Sequence, residues 1–170
     1  MSSLILKNQP VTLLIFAVLL IEGASSFAQH TNLAYTPSSS KSVIGVLNDY
    51  NIGTGTYPFI NDGDLYLYQN FLNDGEQNFT TATTISYLNF VGTNQQRVRG
   101  SGFTNVLNLT FDNPTTADAI ELDHNIHING AADFTDGIVG ADDALAGLMV
   151  FNASGTTINV SDNSYVDGRV

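Results

Sequence analysis

Short apolar clusters, separated by polar turn residues, run through the chain from Val43 onward. Each cluster spans three to six residues and is bounded by Asn, Asp, Gly or Ser. Within the clusters the apolar residues occupy every second position, as Leu65 and Leu67 do. This alternation is typical of β-strands with one buried face, and long stretches with helical periodicity are lacking. The pattern predicts an all-β fold.

The alternating apolar residues are expected to point into a shared core. In the second half of the chain this expectation applies to Leu107, Leu109, Phe111, Ile126, Ile128, Phe134, Ile158 and Val160.

A short segment recurs at a distance of twelve residues. Residues 59–64 read Phe-Ile-Asn-Asp-Gly-Asp, and residues 71–76 read Phe-Leu-Asn-Asp-Gly-Glu. Asp-Gly and Asn-Gly pairs suit tight corners because these residues tolerate positive φ angles. The recurrence therefore indicates a fold built from repeated strand-and-corner units.

Two architectures combine such short strands with such corners. In an antiparallel β-sandwich the Asp-Gly pairs would lie in two-residue hairpin turns. In a right-handed parallel β-solenoid they would join strands that stack coil on coil. The shortness of the strands, the Asn residues at cluster edges, where ladders could form, and the outward Ser and Thr residues favour the solenoid. We predict a solenoid with mostly parallel strand pairs over residues 43–170 and keep the sandwich as the alternative.

The segment before the solenoid has the order of a secretory signal. Lys7 precedes an apolar run over residues 11–21, and Ser26 and Ala28 fit a signal-peptidase site. As a helix the run would be about 16 Å long, against roughly 30 Å for the hydrocarbon core of a membrane. We predict a signal peptide at 1–28, a mature chain starting at Gln29, and a flexible leader at 29–42. The mature protein is then expected to be secreted and to lack a membrane span.

The composition excludes several classes of function. The 170 residues include 16 acidic and 5 basic side chains, which give a net charge of -11, and there is no cysteine. Binding to nucleic acid requires clustered Lys and Arg, so nucleic acid is not an expected partner. Without cysteine the chain has no disulfide, no thiolate metal site and no cysteine nucleophile.

Three motifs between residues 92 and 137 resemble the repeats of a known class of proteins. They read Gln-Gln-Arg-Val-Arg-Gly at 95–100, Phe-Thr-Asn-Val-Leu-Asn-Leu at 103–109 and Ile-His-Ile-Asn-Gly at 126–130. This cadence resembles the β-helix repeats of large secreted surface proteins of the Bacteroidetes type, which are adhesin-like and associated with type IX secretion. The likeness extends over about residues 62–170.

The resemblance implies a structural role, because the repeat contains no catalytic residue. Members of that family commonly end in a sorting domain, which this sequence does not display. The chain is therefore expected to be incomplete at its C-terminus, to stack against further coils of a longer parent protein, and to be marginally stable alone.

Acidic turn residues offer a hypothesis for metal binding. Oxygen-rich turns can hold Ca²⁺, and the candidates are Asp62, Asp64, Asp74 and Glu76. The spacing of an EF-hand is absent, so solvated turn carboxylates are the preferred interpretation and Ca²⁺ the alternative. His124 and His127 are expected on opposite faces of a strand, which argues against a shared metal. No cofactor is predicted.

Four side chains are candidates for ligand contact, namely Tyr66, Tyr68, Arg97 and Arg99. If Leu65 and Leu67 face the core, the two tyrosines stand outside, where they could stack on sugar rings or join an interface. The two arginines share the face opposite Val98 and could contact a carboxylate or an acidic sugar.

The sequence as a whole predicts a secreted or cell-surface β-solenoid with a structural or adhesive role and no catalytic residues. Its expected partners are polysaccharide or other cell-surface components. Two alternatives stay open: a fragment of a carbohydrate-active β-helix enzyme of the polysaccharide lyase type, and a small carbohydrate-binding β-sandwich.

Overall fold

A computed structural model describes residues 43–55, 58–79, 86–115, 118–141 and 147–168 of the chain. The predicted signal peptide and leader lie outside these residues. The described residues form short strands, and none of them forms a helix of the length and hydrophobicity needed to cross a membrane. In chain order the strands are β1 (Val43–Val46), β2 (Tyr50–Ile52), β3 (Phe59–Ile60), β4 (Asp64–Leu67), β5 (Phe71–Asn73), β6 (Glu76–Asn78), β7 (Tyr87–Phe90), β8 (Gln96–Arg99), β9 (Phe103–Val106), β10 (Asn108–Asp112), β11 (Ile120–Leu122), β12 (Ile126–Ile128), β13 (Ala131–Asp136), β14 (Val139–Ala141), β15 (Met149–Phe151), β16 (Thr156–Ile158) and β17 (Val166–Gly168).

Every third strand returns to the same sheet, so the chain winds as a three-sided coil. Sheet A has the order β1-β4-β7-β10-β13-β16, sheet B the order β2-β5-β8-β11-β14-β17, and sheet C the order β3-β6-β9-β12-β15. All pairings between these strands are parallel. The described strands therefore complete about five coils, and the predicted parallel β-solenoid is confirmed over the antiparallel sandwich.

The core consists of like side chains stacked along the solenoid axis. In sheet A, Leu67, Phe90, Phe111 and Phe134 are in register on consecutive coils. The ring centroids of Phe90 and Phe111 are 5.9 Å apart, and those of Phe111 and Phe134 are 5.2 Å apart. All four side chains are buried. Each coil therefore covers the apolar residues of the coil before it.

The predicted core positions in the middle coils are confirmed, since the following are buried: Leu109, Phe111, Ile126, Ile128 and Phe134. Leu107 is only half-buried, because it lies at the bend between β9 and β10.

The predicted burial of Ile158 and Val160 is wrong, because these residues are 43% and 55% exposed. Ile158 is in register with Asp133, whose side chain is on the outer face, while Thr157 is in register with the buried Ala132. The inward positions of β16 therefore alternate in the opposite phase to the one inferred from the sequence. Val160 lies beyond the end of β16, where no described coil covers it.

Corner positions hold most of the predicted Asp-Gly and Asn-Gly pairs. Asp62-Gly63 joins β3 to β4, Asp74-Gly75 joins β5 to β6, and Asn129-Gly130 joins β12 to β13, whereas Asp167-Gly168 lies within β17. Gly137 has a φ of 94°, and a Cβ there would collide with the Asn113 carbonyl oxygen. This corner therefore requires glycine. The positive φ expected from the sequence is wrong for Gly63, Gly75 and Gly130, whose φ angles lie outside the left-handed region.

The twelve-residue repeat marks two different corners that use the same device. Asn61 and Asn73 are buried, and each accepts a hydrogen bond at Oδ1 from the backbone N–H two residues on, at 3.3 Å and 3.1 Å. Each also donates from Nδ2 to a backbone carbonyl of the following coil, that of Tyr87 at 3.0 Å and that of Phe103 at 3.1 Å. The repeated unit is therefore the corner, which ties one coil to the next.

An asparagine ladder runs along the end of sheet C, as the sequence predicted for cluster edges. Asn105 donates from Nδ2 to Oδ1 of Asn78 at 2.8 Å, Asn129 donates to Asn105 at 2.6 Å, and Asn152 donates to Asn129 at 2.9 Å. The ladder thus joins four consecutive coils through side-chain amides.

Candidate ligand-binding surface

The outer face of sheet A contains a shallow depression of about 210 Å³. It is lined by Asp64, Tyr66, Tyr87, Asn89 and Thr110. These residues come from three neighbouring strands, β4, β7 and β10. We call this set of five residues the tyrosine depression.

Strand alternation places these side chains outside. Leu65 and Leu67 are buried in the core, so Tyr66 between them faces outward, as predicted. The register pairs Tyr66 with Asn89, and Asn89 with Thr110. The same register pairs Asp64 with Tyr87. The two tyrosines are therefore diagonal neighbours on adjacent coils.

The polar groups of the depression are partly fixed by the solenoid itself. Asn89 is buried, and its Nδ2 donates to the Leu65 carbonyl oxygen at 3.3 Å. No described residue forms a hydrogen bond with the hydroxyl of Tyr66 or that of Thr110. The floor of the depression is thus held in place, whereas two hydroxyl groups at its surface make no bond to the described part of the chain.

Tyr68 is also outside, as predicted, but it belongs to a different neighbourhood. Its side chain is 40% exposed and leans over Gly45 of β1, with Cε2 at 3.8 Å from where a Cβ of that glycine would stand. It does not line the tyrosine depression. The sequence grouped Tyr66 with Tyr68, whereas the structure groups Tyr66 with Tyr87.

Arg97 and Arg99 lie on the outer face of sheet B, opposite the buried Val98, as predicted. Asp123 accepts two hydrogen bonds from Arg97, 3.0 Å from Nε and 2.7 Å from Nη2. It also lies 3.8 Å from Nε of Arg99, and Glu121 lies 3.4 Å from Nη2 of Arg97. The two arginines thus already face carboxylates of the next coil, which an acidic ligand would have to displace.

The four calcium candidates lie at two separate corners. Asp62 and Asp64 are at the corner between β3 and β4, whereas Asp74 and Glu76 are at the corner between β5 and β6. Oδ1 of Asp74 accepts hydrogen bonds from the backbone N–H and the hydroxyl of Ser101, both at 3.1 Å. Within the described ranges, no three His, Asp or Glu side chains are grouped as metal ligands would be.

The two histidines differ in their surroundings. His124 lies in the corner between β11 and β12, where its Nε2 is buried and has no partner in the described part of the chain. Burial lowers the pKa of His124, and the carbonyl of Gly102 opposes this effect. His127 is on the outer side of β12, and its ring centroid lies 4.7 Å from that of Phe103. The expectation that both histidines lie on opposite faces of one strand is therefore wrong, because β12 begins at Ile126 and only His127 is part of it.

A second depression, of about 270 Å³, lies where the chain passes from sheet A to sheet B. Its lining consists of Pro114, Thr115, Asp136, Gly137, Ile138, Asp162 and Asn163. It contains two carboxylates and no aromatic side chain, so it lacks the stacking surface that distinguishes the tyrosine depression.

Sequence reasoning missed Tyr87, Asn89 and Thr110. A signal for the first two was present, because residues 87–90 read Tyr-Leu-Asn-Phe and repeat the alternation of residues 64–67. Their proximity to Tyr66 depends on a register of 23 residues between β4 and β7. No feature of the local sequence fixes that number.

Comparison with protein-family models, with curated proteins and with solved structures finds no match for this chain.

Proposed function

We propose that this chain is a secreted, surface-associated β-solenoid that acts as a structural or adhesive scaffold and has no catalysis of its own. The observation that carries the proposal is the use of polar side chains for bonding between coils. Asn78, Asn105, Asn129 and Asn152 bond to one another along the axis, and Arg97 is bound to Asp123 of the next coil.

Hydrogen bonds and ion pairs between coils are typical of a rigid structural protein and not of an enzyme active site. Hydrogen bonds and ion pairs that repeat from coil to coil hold neighbouring coils together, and the stability of a solenoid is roughly the sum of these interfaces. A catalytic site needs titratable groups that converge on the reacting atoms of a substrate. The amides of the ladder do not titrate, and the guanidinium of Arg97 is paired with the carboxylate of Asp123. The arrangement of the outer faces therefore suits a rod that presents its surface to a partner.

Export and surface association are part of the proposal. They are supported by the signal-like order of residues 1–28 and by the resemblance of residues 62–170 to β-helix repeats of secreted surface proteins. The same resemblance supports the stacking of further coils of a longer parent protein on this one. The net charge of -11 is compatible with an extracellular surface protein, because it keeps the molecule from binding anionic lipid.

To test this proposal, the full-length chain is expressed in a bacterium that has an outer membrane. Intact mass of the material from the secreted fraction should give a chain starting at Gln29, and cells carrying it should adhere to polysaccharide-coated surfaces more than cells carrying an empty vector. The same material, incubated with a panel of polysaccharides, should release no new reducing ends.

Two results would overturn the proposal. A species retaining Met1 in the membrane pellet contradicts export. Release of reducing ends or of unsaturated uronates contradicts the non-catalytic role and favours the alternative of a carbohydrate-active enzyme fragment.

A further inference from the structure

We propose that the tyrosine depression on sheet A binds a neutral polysaccharide. This inference rests on the proposed function, because it supplies the adhesive scaffold with a ligand, and it names the chemistry of that ligand and the residues that contact it.

Two aromatic rings supply the stacking surface. Tyr66 on β4 and Tyr87 on β7 project from adjacent coils, and Tyr87 is in register two residues before Tyr66. With about 4.8 Å between strands and about 3.3 Å per residue along a strand, their points of attachment are roughly 8 Å apart. Tyrosine combines an apolar ring face, which packs on the C–H face of a sugar ring, with a hydroxyl that can bond to sugar hydroxyls. The pair can thus contact more than one sugar of a chain.

The polar groups around the rings match sugar hydroxyls. Hydroxyls both donate and accept hydrogen bonds, and Asn89 and Thr110 offer both functions. The Asn89 amide is held by its bond to the Leu65 carbonyl, so its orientation is set before a ligand arrives. Preorganised groups of this kind reduce the entropy lost on binding.

The negative charge of the surface around the depression favours a neutral ligand over an acidic one. Asp64 lines the depression, Asp133 follows Thr110 in the same outer row, and the whole chain carries a net charge of -11. Arg97 and Arg99, which could attract an anion, lie on sheet B. An acidic polysaccharide would be repelled, whereas a neutral one pays no such cost.

The shape of the depression selects an extended ligand. Its volume of about 210 Å³ is below the roughly 300–1,000 Å³ of enclosed sites for small molecules, and it lies open on a sheet face. A small molecule would bury little of its surface there. A polysaccharide can lie across the coils, place the sugars that contact the two tyrosines in the depression and extend along the sheet.

The experiment measures retardation of the full-length chain in native gels that contain laminarin, glucomannan or xylan, with alginate as the anionic comparison. We expect retardation by at least one neutral polymer and none by alginate. Tyr66→Ala and Tyr87→Ala should each weaken binding about tenfold, since stacking is a large share of such contacts. Tyr66→Phe should retain most of the affinity, because it keeps the ring.

Two further variants distinguish a loss of the binding site from a loss of the fold. Phe103→Ala removes an aromatic side chain that is 45% exposed on the outer face of sheet C, and it should bind like the parent chain. Thr110→Lys fills the depression without removing an aromatic ring and should weaken binding as much as Tyr66→Ala. Thermal unfolding by circular dichroism shows which variants are folded.

The inference is overturned if no neutral polymer retards the chain, if alginate retards it most, or if Phe103→Ala weakens binding as much as Tyr66→Ala. Export and cell adhesion with no retardation would refute this inference alone and leave the scaffold proposal standing. Retardation accompanied by release of reducing ends would support the binding site and refute the non-catalytic scaffold.

Discussion

Gln77 brings a primary amide into the interior of the coil stack. Its side chain is 1% exposed and lies in register between Phe59 and Thr104. Oε1 of Gln77 has no hydrogen-bond partner among the described residues. A buried acceptor left without a partner costs about 1–3 kcal/mol, because the bond it made with water in the unfolded chain is lost. We therefore expect Gln77 to weaken the fold at this position.

Replacement of Gln77 by methionine should raise the free energy of unfolding by about 1 kcal/mol. Methionine has a similar length and no polar atom to desolvate, so the stack stays filled. Urea denaturation monitored by circular dichroism measures the change. A loss of stability in Gln77→Met would mean that the amide is satisfied in solution.

Gln96 provides the matched control, because it is equally buried but fully bonded. Its Nε2 donates to the carbonyls of Leu67 and Gln69, and its Oε1 accepts from the Gly92 N–H and from Nδ2 of Asn113. Gln96→Met leaves these carbonyl, N–H and amide groups buried without a hydrogen-bond partner. It should lower the free energy of unfolding by about 2–4 kcal/mol. The opposite signs of the two substitutions separate the effect of hydrogen bonding from that of side-chain volume.

At the scale of the strands, the asparagine ladder joins elements that are distant in sequence. Asn105 is an inner member with two ladder bonds, to Asn78 and from Asn129, whereas Asn152 has one. Each bond contributes about 0.5–1.5 kcal/mol net. The contribution of a member should therefore follow its position in the ladder.

Asn105→Ala should lower the free energy of unfolding by about 2 kcal/mol, and Asn152→Ala by about 1 kcal/mol. Asn51→Ala is the matched control, because Asn51 is exposed on β2 and no described residue bonds to its side chain; its effect should stay within about 0.5 kcal/mol. Chemical denaturation of the three variants measures these losses of stability and gives their order. Equal effects at the three positions would show that the ladder adds nothing to coil stacking.

At the scale of the whole molecule, protection should vary along the axis. Strands such as β10 and β11 have a neighbour on each side, whereas β16 pairs with β13 and β17 pairs with β14 on one side only in the described part of the chain. The side chains of β16 are exposed throughout. A solenoid opens from its least covered coil, because each coil is stabilised by its neighbours.

Hydrogen exchange of the full-length chain should therefore be at least about 100-fold faster in β16 than in β10, a difference that reflects partial opening of the last coil. Exchange followed by mass spectrometry of proteolytic peptides resolves the two segments. Equal protection would mean that another part of the chain or a second molecule covers β16. The slowest amides also report the global stability, which tests the prediction that the chain alone is marginally stable.

The sequence by itself determined the all-β class, the strand positions in the middle coils and most of the corners. The reason is that these features are local: alternate apolar residues such as Leu109 and Phe111 must share a face, and Asn61 and Asn73 each bond to the backbone N–H two residues on, which closes the corner. It also placed Tyr66 outside, because the buried neighbours Leu65 and Leu67 fix the phase of that strand.

The tertiary structure alone decided which residues meet across coils. The coil length varies, from 18 residues between Phe59 and Gln77 to 27 between Phe71 and Val98, so the register of each coil depends on the corners that precede it. A shift of one residue turns every side chain of a strand to the other face. This is why Ile158 is outside although its cluster alternates, and why Tyr87, and not Tyr68, stands beside Tyr66.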